Sequence, residues 1–197
     1  MFMRRIHPLA IILPLGVKHH SHRCIQWQRM TGTTLLELMI ALSIATTLLF
    51  IAVPSFQSFT RTNRIAAITN ELSSALQLAR SEAMTRGKTV TVCKSNDISD
   101  STPSCSTTGV NWQDGWVIFV DNNGNGAFNT GDIPLRVGQA TNAGVVITGN
   151  SVFVDRASFN STGETSAGTI SIFIAPEQRC IILNKIGRLR IKSGTCP

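Results

Sequence analysis

The sequence predicts an α+β protein: one long amino-terminal helix, membrane-spanning in its first part and amphipathic in its second, packed on a carboxy-terminal antiparallel β-sheet or β-sandwich domain. Three observations carry that expectation. Thr33 to Val53 is an apolar run of twenty-one residues in which Glu37 is the single charge. Apolar residues then recur at spacings of three and four as far as Ala83. Beyond Gly87 they gather into short β-branched runs separated by Gly, Asn, Asp and Ser clusters.

About twenty consecutive apolar residues suffice to cross the hydrocarbon core of a bilayer, so Thr33 to Val53 reads as a membrane-spanning helix. Five basic residues (Arg4, Arg5, Lys18, Arg23, Arg29) and no acids precede it, which leaves the amino end in the cytoplasm and sends the chain after Pro54 outward. A carboxylate within such a span costs roughly 2.5 to 3.5 kcal/mol, so Glu37 needs either a partner or the favourable field of a first helical turn. Past Pro54, the residues Ile65, Ile68, Leu72, Leu76, Ala79 and Ala83 form one face of a continuing helix, which Gly87 ends. The expected organisation is residues 1–32 as a leader, 33–54 as the span, 55–87 as the amphipathic helix and 88–197 as the β-rich domain. Within the leader, Ile6 to Val17 is apolar but is short and broken by Pro8 and Pro14.

In the domain, strands are expected at Thr89–Cys93, Trp116–Val120, Ile133–Val137, Val145–Thr148, Ser151–Val154, Thr169–Ala175 and Cys180–Lys192. All four histidines (His7, His19, His20, His22) and Cys24 fall in the leader. The remainder therefore has no imidazole for a triad or a metal, and it shows no nucleophile motif or close carboxylate pair, which argues against an enzyme. Cys93, Cys105, Cys180 and Cys196 are an even number in a part of the chain expected outside the cytoplasm. Two disulfides are expected, and of the three possible connectivities the sequence-local one, Cys93 with Cys105 and Cys180 with Cys196, closes short loops. A four-cysteine zinc site is the competing use, but there is no C-x-x-C pair. No cofactor is expected.

The string Gly32-Thr33-Thr34-Leu35-Leu36-Glu37 resembles the processing site of type IV prepilins. The resemblance implies cleavage after Gly32 by a prepilin peptidase, methylation of the new amine at Thr33, and pairing of Glu37 with a neighbouring subunit's amine in the inner membrane. ALQLARSEAMTRGKTVTVC, Ala75 to Cys93, and WQDGWVIFVDNNGNG, Trp112 to Gly126, are similar to signatures of the FimT and GspH group of minor pilins and pseudopilins. That likeness runs from about Gly32 to Lys192. It implies the type IV pilin-like form of the α+β fold. It also implies a subunit that is single-pass in the inner membrane with a periplasmic domain before assembly, and that sits on a pilus or cell surface afterwards, its helix contacting other pilins or pseudopilins.

Charge is the second functional signal. The whole chain carries +7, but the leader supplies five of its eighteen basic residues, and the segment from Arg179 onward supplies another five without an acid. From Arg188 the sequence alternates, with Arg188, Arg190 and Lys192 on one side of a strand and Leu189 and Ile191 on the other, while Lys185 and Arg179 are candidates to extend the row. Same-face residues lie about 6.6 Å apart, close to two steps of about 3.4 Å along a DNA strand, so such a row can track phosphates. No aromatic follows Phe173 to stack unpaired bases, and no Asn or Gln stands within the row to read base edges, which favours double-stranded DNA without sequence preference. An edge strand whose charges discourage aggregation explains the same pattern. Gly187-Arg188-Leu189-Arg190 resembles the G-R-x-R motif of FimT-type pilins that bind DNA in natural transformation. Carried over, Lys185, Arg188 and Arg190 are the contacts; the rival role is a structural subunit of a type II secretion pseudopilus with no DNA function.

Two other constellations have two readings each. Asp121, Asn123, Asn125, Gly126 and Asp132 stand at positions 1, 3, 5, 6 and 12 of an EF-hand-like loop, which suits calcium, yet Asn and Gly there also suit a hairpin turn. Trp112 and Trp116 form either a binding surface or core.

Overall fold

The computed structural model describes residues 32–97, 103–141, 144–150 and 152–197, so most of the expected leader, with its histidines and Cys24, lies outside the described residues. The chain forms two units, Met1–Ala45 and Thr46–Pro197. In the first, helix α1 (Leu35–Arg86) begins behind Thr34, whose Oγ1 accepts the Glu37 backbone N–H at 3.2 Å. Thr34 and Glu37 thus occupy the N-cap and third positions of a T-x-x-E start, where a side-chain oxygen satisfies a free helix donor and a carboxylate suits the helix dipole. Every described residue of this unit is exposed.

The second unit holds the rest of α1, which includes Pro54, and eight strands. Up to Thr60 the helix remains exposed, and its apolar first part is long enough to cross a membrane. From Ile65 one face is buried: Ile65, Ile68, Leu72, Leu76, Ala79 and Ala83, as their spacing predicts, together with Ala75, Thr69 and Ser73. The buried face narrows to alanine at Ala75, Ala79 and Ala83, which keeps side-chain bulk low where the helix meets the sheets.

Two four-stranded antiparallel sheets form the domain. The first has the order β3-β2-β1-β5, from β1 (Thr89–Lys94), β2 (Trp116–Asp121), β3 (Ile133–Gly138) and β5 (Arg156–Phe159). The second has the order β4-β6-β7-β8, from β4 (Val146–Gly149), β6 (Gly168–Ile174), β7 (Glu177–Leu183) and β8 (Leu189–Ser193). One core takes the inward face of α1 together with Val90, Val92, Ile118 and Val120 of the first sheet and Ile147, Ile170, Ile172, Ile181 and Leu183 of the second.

Two strand expectations are corrected. Ser151–Val154 is not a strand: Ser151 lies outside the described residues, and the Phe153 N–H donates to the Asn150 carbonyl in a turn. That turn drives Phe153 into the core, between Gly149 and Gly168, where an added Cβ at either would collide with it. The strand is instead Arg156–Phe159, pairing with β1. Cys180–Lys192 is two strands, because Asn184 to Gly187 turns the chain back so that β8 pairs with β7.

Trp112 and Trp116 are core, and the Trp112 indole N–H reaches the Phe153 and Val154 carbonyls at 3.0 and 3.1 Å. The segment from Asp121 to Asp132 joins β2 and β3 as a hairpin. Its carboxylates are committed to that loop: Asp121 accepts the N–H groups of Gly124, Asn125 and Gly126, and Asp132 accepts those of Asn122 and Asn129. These bonds give the acidic positions a part in shaping the hairpin loop. Among the described residues no cluster of three or more His, Cys, Asp or Glu could hold one.

Candidate nucleic-acid interface

The carboxy-terminal hairpin is built by its turn. The Gly187 N–H donates to the Asn184 carbonyl at 2.9 Å, the Arg188 N–H donates to Asn184 Oδ1 at 2.8 Å, and the Asn184 N–H donates to the Arg188 carbonyl at 3.2 Å. Gly187 has φ 71°, a left-handed conformation that closes a three-residue loop and that a residue with a Cβ adopts only at a cost. Lys185 and Ile186 are left at the exposed tip.

Register places the cations. Arg190 stands opposite Ile182, and Lys192 opposite Cys180, while Leu189 and Ile191 pair with the core residues Leu183 and Ile181. Because side chains alternate across a strand, Arg190 and Lys192 share the outer face, with Arg188 continuing their row at the turn. All three are exposed, and so is Lys185. Among the described residues no carboxylate pairs with any of them. β8 is also an edge, bonded to β7 on one side alone.

Arg179 does not belong to this row. It stands opposite Ser193 and Ile172, one step out of phase with Cys180 and Lys192, so it lies on the inward-facing side and is half-buried. Its charge counts in the sequence as part of the basic tail, but the parity of β7 takes it off the outer face where the row stands.

The four cysteines form two bonds, Cys93–Cys105 and Cys180–Cys196, with sequence separations of 12 and 16. The second ties the tail back onto the outer face beside Lys192, whose Nζ donates to the Thr195 carbonyl at 3.2 Å. Gly32 and Thr33 are exposed ahead of the helix, and Glu37 is exposed in its first turn.

A long amino-terminal helix that enters the core of a β domain and carries an exposed apolar first part is the architecture of type IV pilin-like subunits. The profile of the family described as "Type II transport protein GspH" matches residues 69–187, more than half of the chain, and the chain belongs to that family. The match ends at Gly187, so it contains the hairpin turn but not β8. No curated protein matches the sequence. Among solved structures, the chain is similar to the type IV minor pilin FimU of Pseudomonas aeruginosa, with a TM-score of 0.50 and 21% identity over 69% of this chain and 96% of that one. It is also similar to the minor pseudopilin EpsH of the type 2 secretion system of Vibrio cholerae, with a TM-score of 0.46 and 16% identity over 66% of this chain and 97% of that one.

Proposed function

We propose that this chain is a minor pilin of the FimT type that binds extracellular double-stranded DNA without sequence specificity and supports DNA uptake in natural transformation. One observation carries the reading: an edge hairpin presents Lys185, Arg188, Arg190 and Lys192 to solvent, with no described carboxylate paired to them. An edge row of cations spaced about 6.6 Å apart suits a phosphate backbone and holds no Asn or Gln to pair with adenine. Asn184, in the turn, has its Oδ1 committed to the Arg188 N–H. The Cys180–Cys196 bond limits the freedom of the tail, which lowers the ordering cost of binding.

The reading includes a maturation route. A prepilin peptidase cleaves after Gly32 and methylates Thr33, removing residues 1–32. Residues 33–54 hold the subunit in the inner membrane as a single pass with residues 88–197 in the periplasm. On assembly Glu37 pairs with a neighbour's amine, and the helix packs on other pilins at the pilus. The role is one of binding and assembly, with no catalysis. The second reading, a structural pseudopilin of a type II secretion system, is favoured by one observation: the family match stops before β8.

A gel shift separates the two. Residues 33–197 in detergent are expected to retard a mixed-sequence duplex at physiological salt, and Arg188→Gln with Arg190→Gln is expected to abolish the shift at that salt while leaving the thermal midpoint in place. An unchanged shift, together with blocked protein export on deletion, supports the pseudopilin reading instead.

A further inference from the structure

Three elements meet behind the turn of the basic hairpin, and Arg80 is the side chain that joins them. Its Nε donates to the Gly163 carbonyl, in the turn between β5 and β6, at 3.2 Å. That turn is organised by Asn160, whose Oδ1 accepts the N–H groups of Thr162 and Glu164 and whose carbonyl accepts the Gly163 N–H. On the other side stands Gly187. A Cβ placed there would fall 2.1 Å from the Gly163 carbonyl oxygen and 2.7 and 2.9 Å from Nε and Cδ of Arg80. The two turns are also tied directly, since the Thr165 N–H donates to the Lys185 carbonyl at 3.0 Å.

We propose that Arg80 is a positioning residue for the nucleic-acid interface: it wedges between α1, the Gly163 turn and Gly187, and so fixes the direction in which Lys185 and Arg188 leave the hairpin tip. This rests on the DNA reading above. A tip free to pivot would lose conformational freedom on binding, whereas a tip held by three elements has already lost it. The glycine of G-R-x-R then has a role of its own. It supplies the left-handed turn and the open space into which Arg80 and Gly163 fit, and need not touch DNA. The helix thereby reaches the interface through one half-buried guanidinium whose Nε–H is committed to a carbonyl.

The test uses residues 33–197 in detergent and a fluorescein-labelled duplex, with anisotropy measured across a salt series. Arg80→Lys keeps the charge but loses the planar guanidinium; Gly187→Ala removes no charge but drives a methyl group into the Gly163 carbonyl. Each is expected to weaken binding about tenfold, the effect of freeing two long side chains. Each is also expected to flatten the salt slope by about one to two, as Lys185 and Arg188 leave register. Arg80→Lys combined with Arg188→Gln should bind about threefold more weakly than Arg188→Gln alone instead of about tenfold, because Lys185 is then the one cation left for Arg80 to position. Full affinity in folded Arg80→Lys would overturn the proposal, whether or not Gly187→Ala folds. So would full additivity in the double variant, which would make Arg80 an independent phosphate contact. A wild-type slope in Arg188→Gln with Arg190→Gln is a different failure, because it removes the DNA reading itself.

Discussion

The two sheets differ in what covers their outer faces. The first is closed on both sides: Val90, Val92, Ile118 and Val120 enter the main core, while Cys93, Val117 and Phe119 point the other way into a second cluster with Cys105 and Phe128. All six residues of β2 are accordingly buried. The second sheet fills the core through Ile170, Ile172, Ile181 and Leu183, but its outer face carries Thr148, Ser171, Arg190 and Lys192. Apart from the Cys180–Cys196 bond and the Thr148–Ser171 hydroxyl contact, the side chains of this outer face hold nothing together and can change their chemistry at little cost in stability. In this molecule, that is the face where the cations stand.

Substitutions should separate the two sheets by size of effect. The largest is expected at Phe119, which packs edge-on against Phe128 at 5.3 Å: Phe119→Ala should lower unfolding free energy by about 4 kcal/mol in a urea titration. A loss below about 1 kcal/mol would mean that the second cluster is not a working core. Next come the disulfides. Replacing Cys180 and Cys196 by Ser releases a loop with a separation of 16, which should cost about 3 kcal/mol and sharpens the contrast by showing that the open sheet is held at its end. Asp121→Ala follows, at about 2 kcal/mol, since it strands the N–H groups of Gly124, Asn125 and Gly126. Its loss should be the same with calcium or chelator present, measured by thermal unfolding. The smallest effect on stability is expected from Arg190→Gln, below about 0.5 kcal/mol. The same variant should weaken duplex binding several-fold, and a stability loss comparable to that of Phe119→Ala would break the comparison.

The sequence made the helix legible because a spacing of three and four has one structural meaning: all six residues of its predicted stripe are buried. Strands with β-branched runs, β1 to β4 and β6, were equally readable. Reading failed where a local pattern was overruled by a turn. Val152 to Val154 looks like a strand, yet the turn at Asn150 sends Phe153 inward as a plug, while the short alternation Arg156-Ala157-Ser158-Phe159 is the true partner of β1. Asn184-Lys185-Ile186-Gly187 carries a turn signal, an Asn followed three residues later by Gly, that would have divided the last strand in two. The exposed row was visible as alternation from Arg188 onward. Arg179 could not be placed, because its face depends on the register of β7 against β6 and β8. Arg80 was invisible as well, since its partners Gly163 and Gly187 lie far along the chain.

The central claim is that phosphates are neutralised by the outer edge of the second sheet, and the salt dependence of duplex affinity tests it most directly. Residues 33–197 in detergent should show log affinity falling with log salt at a slope of about −3 to −4, for Arg188, Arg190, Lys192 and Lys185 at about −0.9 each. Removing the charges of Arg188 and Arg190 should reduce that slope by about two. The same slope in the double variant as in the wild type would place the contact elsewhere and contradict the account.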